Sequence, residues 1–334
     1  MTAAAEQLCL QNFGNGVFIR GIVEFSNVCG CDCLYCGIRK SNRGVSRYTM
    51  NREEILSAVR SGYEAGVRSF VLQSGEAPVY TVDSFCRIIE AVRRQCSNEI
   101  ALTLSVGERS RSEYRRFFDA GADRFLMRFE TANPRVYALN HPGRSLESRF
   151  EALHTLKEIG YETGTGFLVG IPHEEPDDFE LNLETLIAFR PHMVGLGPFV
   201  PAPQTPAAAF PPGSFEKVLQ AYSRIRLALP KVNLASVTAL DSLAAQGRYK
   251  ALRAGANVYM PNLTPADFRK RYRLYEKKSS VDAFSDWPQI LEKEMSGFGR
   301  RPLWNEIGTS PMMNEDIEKV NRSGILPSAT ASER

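Results

Sequence analysis

Short apolar runs alternate with longer amphipathic stretches along most of the chain, at intervals of about 30 to 35 residues. The apolar runs predict eight β-strands, over residues 17–25, 69–73, 101–105, 124–129, 163–169, 193–197, 233–237 and 257–259. The amphipathic stretches predict helices, over residues 51–66, 82–95, 112–120, 146–160, 176–189, 215–229 and 242–254. Eight strand–helix units favour a (β/α)8 TIM barrel, a closed α/β fold, over an open doubly wound sheet.

The two ends of the chain are less regular than its middle. We expect an N-terminal segment at residues 1–16, a barrel core at residues 17–262 and a C-terminal extension at residues 263–334. The extension should be irregular and helical, and its polar tail from Asn321 onward should be mobile.

Composition excludes several kinds of partner. The chain has 334 residues, and its formal net charge of +3 arises from acidic and basic residues that are mixed along the sequence. This mixing does not indicate a nucleic-acid partner. The first residues lack the basic and apolar regions of a signal peptide, and no apolar run is long enough to span a bilayer. We therefore expect a cytoplasmic protein that binds neither nucleic acid nor membrane.

Polar residues follow many of the predicted strands. In (β/α)8 barrels the catalytic groups lie at the carboxyl ends of the strands. The residues found at these ends are Gln73, Ser74, Gly75, Glu76, Thr103, Ser105, Arg128, Glu130, Thr163, Thr165, Thr238 and Asn262. A single polar residue in such a place is often only a turn former. The whole set predicts a polar site on one rim of the barrel.

The loop after the first predicted strand carries four cysteines within eight residues. Cys29, Cys33 and Cys36 are separated by three residues and then by two, and Tyr35 precedes the last of them. Three thiolates on one short loop can hold three irons of a cubane cluster and leave the fourth iron open to a small molecule. Cys31 breaks this spacing, so it is the spare thiol.

Zinc and disulfides are the alternative roles for these cysteines. Structural zinc sites usually combine two Cys-x-x-Cys pairs across a longer loop, and no cysteine follows Cys96 in this chain. The count of seven cysteines is odd, which argues against a disulfide framework. An iron–sulfur cluster is therefore favoured, and the isolated Cys9, Cys86 and Cys96 are expected to pack in the core.

Two glycine-containing motifs stand at strand ends. Ser74-Gly75-Glu76 is either an ordinary turn or a cofactor contact. The stretch 166–174 contains two glycines, but it lacks the helix-opening Gly-x-Gly-x-x-Gly pattern of a dinucleotide site. Its glycines instead permit a ligand to approach the backbone closely.

Arg128 and Glu130 are two residues apart, so they point to the same side of one predicted strand. They form either an internal salt bridge or part of a ligand site, because neither is stable if buried alone. Arg149 begins the next helix and can bind a carboxylate with two parallel hydrogen bonds.

The cysteine loop resembles the signature of radical S-adenosylmethionine (SAM) enzymes. Other segments extend the resemblance to the HydE family, the radical SAM maturases of FeFe-hydrogenase, whose relatives are biotin synthase and methylornithine synthase. These segments are residues 24–29, 33–39, 71–76, 103–105, 130–134, 156–164, 193–199 and 255–262. The resemblance covers about residues 17 to 276.

The resemblance implies a 4Fe–4S cluster held by Cys29, Cys33 and Cys36, with SAM bound to the fourth iron. The residues that it places around SAM are Tyr35, Ser74, Gly75, Glu76, Ser105, Glu130 and Arg149. The residues that it places around a substrate inside the barrel are Gln73, Thr103, Arg128, Met193, Thr238, Met260 and Tyr275.

The resemblance also implies a reaction. Reductive cleavage of SAM would yield a 5′-deoxyadenosyl radical that acts on a small iron–cysteine–carbonyl–cyanide precursor. The implied partners are this organometallic substrate, a reductant such as flavodoxin or ferredoxin, and other hydrogenase maturases.

Two alternative functions stay open at this point. One is a related radical SAM enzyme that rearranges or modifies a small amino acid, similar to methylornithine synthase, and the other is an iron–sulfur carrier protein. The chain has Val237-Thr238 where the family often has two threonines. It also lacks the cysteines near the C-terminus with which many members hold an accessory cluster.

Overall fold

The computed structural model describes residues 1–275 and 286–323. Eight parallel strands form a closed barrel, because each pairs with the next and the last pairs with the first. These strands are β1 (Gly16–Ser26), β2 (Ser69–Ser74), β3 (Ala101–Ser105), β4 (Arg124–Leu126), β5 (Glu162–Thr165), β7 (Met193–Val194), β9 (Asn233–Ser236) and β10 (Val258–Tyr259). The predicted (β/α)8 barrel is confirmed.

Helices surround the barrel. They are α1 (Thr2–Phe13), α2 (Arg52–Glu64), α3 (Val82–Gln95), α4 (Arg111–Asp119), α5 (Pro134–Asn140), α6 (Leu146–Ile159), α7 (Asp178–Phe189), α8 (Phe215–Ala228), α9 (Gly247–Arg253), α10 (Ala266–Arg269), α11 (Trp287–Gly297) and α12 (Pro311–Ser323). A 3₁₀-helix, Thr238–Ser242, precedes α9.

Local sequence signals fix the first turns of several helices at the rim of the barrel. Asn51 accepts the backbone N–H of Glu54 at 2.9 Å, and the Glu54 carboxylate accepts the backbone N–H of Asn51 at 2.7 Å. This reciprocal capping box satisfies two N–H groups that the helix itself cannot satisfy. Ser110 and Glu113 form the same box at the start of α4. The segment between β1 and α2 and the segment between β3 and α4 are therefore each held in place where the helix begins.

The fifth and sixth predicted strands are each divided in the structure. Beyond β5 and β7, a separate two-stranded parallel sheet continues above the rim, formed by β6 (Leu168–Val169) and β8 (Gly197–Pro198). A Cβ atom at Gly166 would lie 2.3 Å from the carbonyl oxygen of Gly195. Glycine at position 166 therefore permits the close approach at which the strands change course.

Charged residues form the floor of the barrel, at the amino ends of the strands. Arg124 donates to Glu162 at 2.6 Å, and Arg20 lies 3.8 Å from the same carboxylate. Burial and the neighbouring Arg124 lower the pKa of Arg20. Burial would raise the pKa of Glu162, but the two guanidinium groups hold it below its usual range.

The C-terminal part of the chain closes this floor. The backbone N–H of Ser310 donates to Glu162 at 3.0 Å, and the carbonyl oxygen of Gly308 accepts from Arg20 at 3.1 Å. Strand β11 (Arg301–Leu303) pairs with the start of β1. These contacts join the predicted extension to the predicted core, and the boundaries at residues 16 and 262 stay a prediction.

Candidate active site

A cavity of about 340 Å³ opens at the carboxyl ends of the barrel strands. Most of the residues selected from the sequence line it. They are Cys29, Cys33, Tyr35, Cys36, Gln73, Ser74, Gly75, Glu76, Ser105, Arg128, Glu130, Arg149, Thr238, Met260 and Tyr275. The cavity therefore joins the cysteine loop to the barrel interior.

Thr103 and Met193 lie outside the lining of this cavity. Met193 is buried, and its sulfur accepts a hydrogen bond from Arg20 of the floor at 2.7 Å. The hydroxyl of Thr103 is buried and has no hydrogen-bond partner within the described part of the chain. Both side chains thus belong to the packed barrel interior in this structure.

Buried polar contacts hold the cysteine loop in one conformation. The guanidinium of Arg47 donates to the carbonyl oxygens of Asn27, Ile38 and Arg39 at 2.6 to 2.7 Å. The side-chain amide of Asn27 donates to the carbonyl oxygen of Ser46 at 2.9 Å. The loop is therefore shaped by its own sequence, with Arg47 at its centre.

The turn after β2 packs directly against the cysteine loop. The backbone N–H of Gly75 donates to Ser26 at 3.0 Å, and the N–H of Gly30 donates to the carbonyl oxygen of Glu76 at 2.8 Å. A Cβ atom at Gly75 would lie 2.3 Å from the carbonyl oxygen of Val28. Glycine is required here because any side chain would separate the two segments.

Cys31 differs from the other three thiols of the loop. Its sulfur accepts a hydrogen bond from Arg144 at 2.9 Å. Hydrogen bonding with Cys31 lowers the pKa of Cys29, and the same contact raises the pKa of Cys31. Burial raises the pKa of Cys36 to about 11 and raises the pKa of Cys33 as well. The sulfur of Cys31 is thus hydrogen-bonded to a cationic side chain.

Two carboxylates and two guanidinium groups alternate beside the cysteine loop. Glu76 forms an ion pair with Arg144 and lies 3.6 Å from Arg149. Glu108 forms an ion pair with Arg149, with 2.8 Å between their closest atoms. Burial alone would lower the pKa of Arg149, but Tyr137 and the two carboxylates raise it. This network can bind a zwitterion, because it presents both signs of charge to the cavity.

Arg128 and Glu130 form the internal ion pair that the sequence left as one of two alternatives, with 3.2 Å between their closest atoms. Both also line the cavity. The Oε2 atom of Glu130 is buried without a hydrogen-bond partner among the described residues, and its backbone has a φ of +67°. A buried, unpaired carboxylate oxygen is costly, so it marks an acceptor position for a ligand hydroxyl or amino group.

His141 and Arg144 line the cavity and Glu108 pairs with Arg149, and none of the three was predicted from the sequence. His141 accepts from the Tyr35 hydroxyl at 2.8 Å, and its Nδ1 donates to the carbonyl oxygen of Tyr137 at 2.9 Å. Burial lowers the pKa of His141 to about 4, which keeps the ring neutral. Arg144 lies in the same α5–α6 turn, and Glu108 follows β3. His141 and Arg144 follow a helix rather than a strand, so the strand-end rule could not select them.

Two tyrosines, Tyr272 and Tyr275, line the same cavity. Tyr272 accepts from Gln73 at 3.2 Å, and Tyr275 shares a hydrogen bond of 3.2 Å with Thr238. Burial raises the pKa of Tyr275 to about 12, so it remains protonated. These residues therefore add neutral hydroxyl and amide groups to the cavity that Arg128 also lines.

The comparisons with known proteins agree with this geometry. A family model for the radical SAM superfamily matches residues 23–186. The chain is 42% identical over 280 residues to the [FeFe] hydrogenase maturase subunit HydE of Thermotoga maritima, which covers 83% of this chain and 79% of that protein. It is 25% identical over 312 residues to 2-iminoacetate synthase of Escherichia coli, with 90% and 81% covered.

Among solved structures, methylornithine synthase has the same fold, with a TM-score of 0.79 and 23% identity over 96% of this chain and 90% of that one. The barrel, the cysteine loop and the family match define a radical SAM enzyme, a class that uses a 4Fe–4S cluster and SAM. Within that superfamily the chain belongs to the HydE family. The resemblance inferred from the sequence motifs is confirmed.

The residues present fit these two groups. Cys29, Cys33 and Cys36 supply three soft thiolate donors on one wall of the cavity, and the charged network beside them suits an amino-acid zwitterion. Within residues 1–275 and 286–323, no three His, Cys, Asp or Glu side chains gather as a site for a metal ion. The fit therefore rests on the donor set and the shared cavity. No described helix is both long and apolar enough to cross a membrane.

Proposed function

We propose that this chain is a hydrogenase maturase of the HydE type, whose radical chemistry acts on a small iron–cysteine–carbonyl–cyanide precursor inside the barrel. The observation that carries the proposal is the shared cavity: the three thiols and the polar barrel interior line one continuous space. The 42% identity with a HydE protein supports the same assignment. The cavity volume of about 340 Å³ lies in the range of small-molecule sites.

Cys29, Cys33 and Cys36 would hold the 4Fe–4S cluster, and SAM would bind the fourth iron. A cluster bound there and reduced would supply the one electron needed to cleave SAM to methionine and a 5′-deoxyadenosyl radical. Cys31 is not a ligand in this proposal, because Arg144 contacts its sulfur.

Glu76 and Glu130 would accept hydrogen bonds from the amino and hydroxyl groups of SAM. Arg149 would bind its carboxylate, since it is the buried cation of the charged network. The other residues proposed to contact SAM are Tyr35, Ser74, Gly75 and Ser105. Gly75 contributes by permitting close approach of the backbone rather than by a side chain.

Arg128 would bind the carboxylate or cyanide of the precursor, because it is a cation that lines the cavity outside the network of Arg144 and Arg149. Its pKa is raised: burial opposes the charge, but Glu130 and neighbouring hydroxyls outweigh it. Gln73, Thr238, Met260 and Tyr275 would line the remainder of the substrate space. Thr103 and Met193 would not contact the substrate directly. They would pack inside the barrel and support the residues that line the cavity.

The ligand assignment is tested with matched cysteine variants. After anaerobic reconstitution, Cys31→Ser should keep about four irons per chain and the visible iron–sulfur absorption. Cys33→Ser should lose cleavage of SAM to 5′-deoxyadenosine. The two variants make the same chemical change in the same loop. If Cys31→Ser abolishes the cluster while Cys29→Ser does not, the assignment is wrong.

The substrate assignment is tested by following the radical. The reduced enzyme is incubated with SAM and either an iron–cysteine–carbonyl–cyanide complex or free amino acids that are deuterated at carbon. We expect an adenosylated iron species from the complex and no deuterium in 5′-deoxyadenosine. Deuterium transfer from a free amino acid would contradict a maturase and identify an amino-acid-modifying enzyme.

A further inference from the structure

Two segments beside the cysteine loop are strongly basic. Residues 37–48 and 269–275 together contain eight arginine and lysine residues and no aspartate or glutamate. The whole chain, in contrast, has a formal net charge of only +3. These two segments therefore carry a net charge of +8, and the rest of the chain carries a net charge of −5.

The two segments lie against each other in the fold. The backbone N–H of Gly37 donates to the carbonyl oxygen of Leu274 at 2.9 Å. The side-chain amide of Asn27 joins the carbonyl oxygens of Ser46 and Arg271, at 2.9 and 2.8 Å. A Cβ atom at Gly37 would lie 2.1 Å from the carbonyl oxygen of Arg273. The two basic segments thus form one continuous surface.

Some of the eight cations serve the loop itself. Arg47 donates to carbonyl oxygens inside the loop, and Arg39 pairs with Asp32 at 2.9 Å. Four others are exposed, and none of the four forms an ion pair with a described carboxylate. We call these four the basic patch: Lys40, Arg43, Lys270 and Arg273.

The basic patch is joined through backbone hydrogen bonds to the loop that carries the cluster thiols. The backbone N–H of Lys40 donates to the carbonyl oxygen of Cys31 at 2.8 Å, and that of Arg39 donates to Cys36 at 3.1 Å. A protein bound to the patch would therefore lie beside the loop that carries Cys33 and Cys36. Electron transfer slows steeply with distance, so this is a favourable position for an electron donor.

We propose that the basic patch is the docking surface for a small, acidic one-electron carrier protein. This inference rests on the proposed function, which requires an electron at the cysteine loop. The carrier loses one electron and the cluster gains it, and neither a proton nor a chemical group is transferred at this surface. Nucleic acid is the competing anionic partner, but the basic patch consists of four residues in two short segments and does not form the long basic stripe that is typical of nucleic-acid binding.

Complementary charges act mainly on the rate of encounter, and they raise it by about ten- to a thousandfold at low salt. The exposed charges of the patch are screened over about 10 Å at 0.1 M salt. Binding of an acidic carrier should therefore weaken steeply as salt is added. This dependence tests the proposal on the unmodified protein.

The experiment measures binding of purified flavodoxin and purified ferredoxin to the anaerobic holoenzyme by surface plasmon resonance. The variant reverses all four charges of the patch, as Lys40→Glu, Arg43→Glu, Lys270→Glu and Arg273→Glu. The control makes the same change of charge on exposed residues of α2, α3, α9 and α11, as Arg60→Glu, Arg94→Glu, Lys250→Glu and Lys293→Glu. We expect the patch variant to bind at least one carrier about tenfold more weakly or worse, and the control to bind it like the unmodified protein.

SAM cleavage driven by dithionite separates this inference from the proposed function. Dithionite is a small chemical reductant that needs no docking surface, so the patch variant should keep its dithionite-driven rate and lose its carrier-driven rate. If the unmodified protein fails with dithionite, the proposed function fails. Equal weakening in the control, binding that ignores salt, or binding of single-stranded RNA but of neither carrier would overturn the docking proposal.

Discussion

Replacing Glu162 with Gln should destabilise the barrel strongly. The carboxylate lies between Arg124, at 2.6 Å, and Arg20, at 3.8 Å, and all three side chains are almost fully buried. Gln keeps the size of the side chain and one acceptor oxygen, but it leaves two buried guanidinium groups without a counter-charge. Breaking a buried pair in this way costs about 3–5 kcal/mol.

The assay is thermal unfolding of the anaerobic protein, followed by far-UV circular dichroism. At about 2 °C per kcal/mol for a chain of this size, the midpoint should fall by about 6–10 °C. Glu175→Gln is the matched control, since Glu175 pairs with Arg135 on the surface and their side chains are 47% and 60% exposed. Such an exposed pair contributes at most about 1 kcal/mol.

The pH dependence gives a second test of the same reasoning. The pKa of Glu162 is lowered from 4.5 in the folded protein. Its contribution to stability is therefore complete above pH 4.5 and is lost as the pH falls through the folded-state pKa. The difference between the unmodified protein and Glu162→Gln should narrow in that acidic range. A midpoint for Glu162→Gln equal to that of Glu175→Gln at pH 7 would refute the argument.

Three further outcomes follow from the site. Glu76→Gln should weaken SAM binding by roughly ten- to a hundredfold, measured by isothermal titration, because a charge-assisted hydrogen bond contributes about 1.5–3 kcal/mol; unchanged affinity would make this motif an ordinary turn. Gly75→Ala should lower the iron content per chain because its Cβ would lie 2.3 Å from Val28, whereas Gly297→Ala, with open space around it, should not. His141→Asn should reduce the fall in thermal stability between pH 6.5 and pH 4. In that range His141 binds a proton in the unfolded chain but not in the folded protein, where its pKa is about 4, so acidification favours unfolding. An unchanged pH profile in the variant would contradict this.

The periodic parts of the fold could be predicted from the sequence because their signals are local. The Asn51–Glu54 capping box placed the start of α2, and the apolar run at Ala101–Ser105 coincides with β3. Helix α5 was not predicted, although Asn133 and Pro134 are ordinary start signals, because its seven residues are too few to show a clear periodicity. The division of the fifth strand depends on the approach of Gly195, which lies far along the chain.

The part of the site that could be predicted is the part whose residues lie close together in the sequence. Cys29, Cys33 and Cys36 needed no structure to be grouped, because they lie on one short loop, and the structure places all three in the lining of one cavity. Their role as cluster ligands stays a prediction. His141 and Arg144 needed the structure, since the turn between α5 and α6 reaches the cavity only through the folding of the whole rim. The pairing of Cys31 with Arg144 spans 113 residues of sequence and has no local signal.

The floor of the barrel has a consequence for the kinetics of folding. Arg20 and Gly308 are separated by 288 residues in the chain, and Arg124 and Ile307 by 183. Contacts between such distant residues form late in folding because closing long loops is entropically costly. Interactions that are absent from the folding transition state mainly slow unfolding rather than speed folding. We therefore expect the charged floor to slow the unfolding of the barrel, at the end opposite its chemistry.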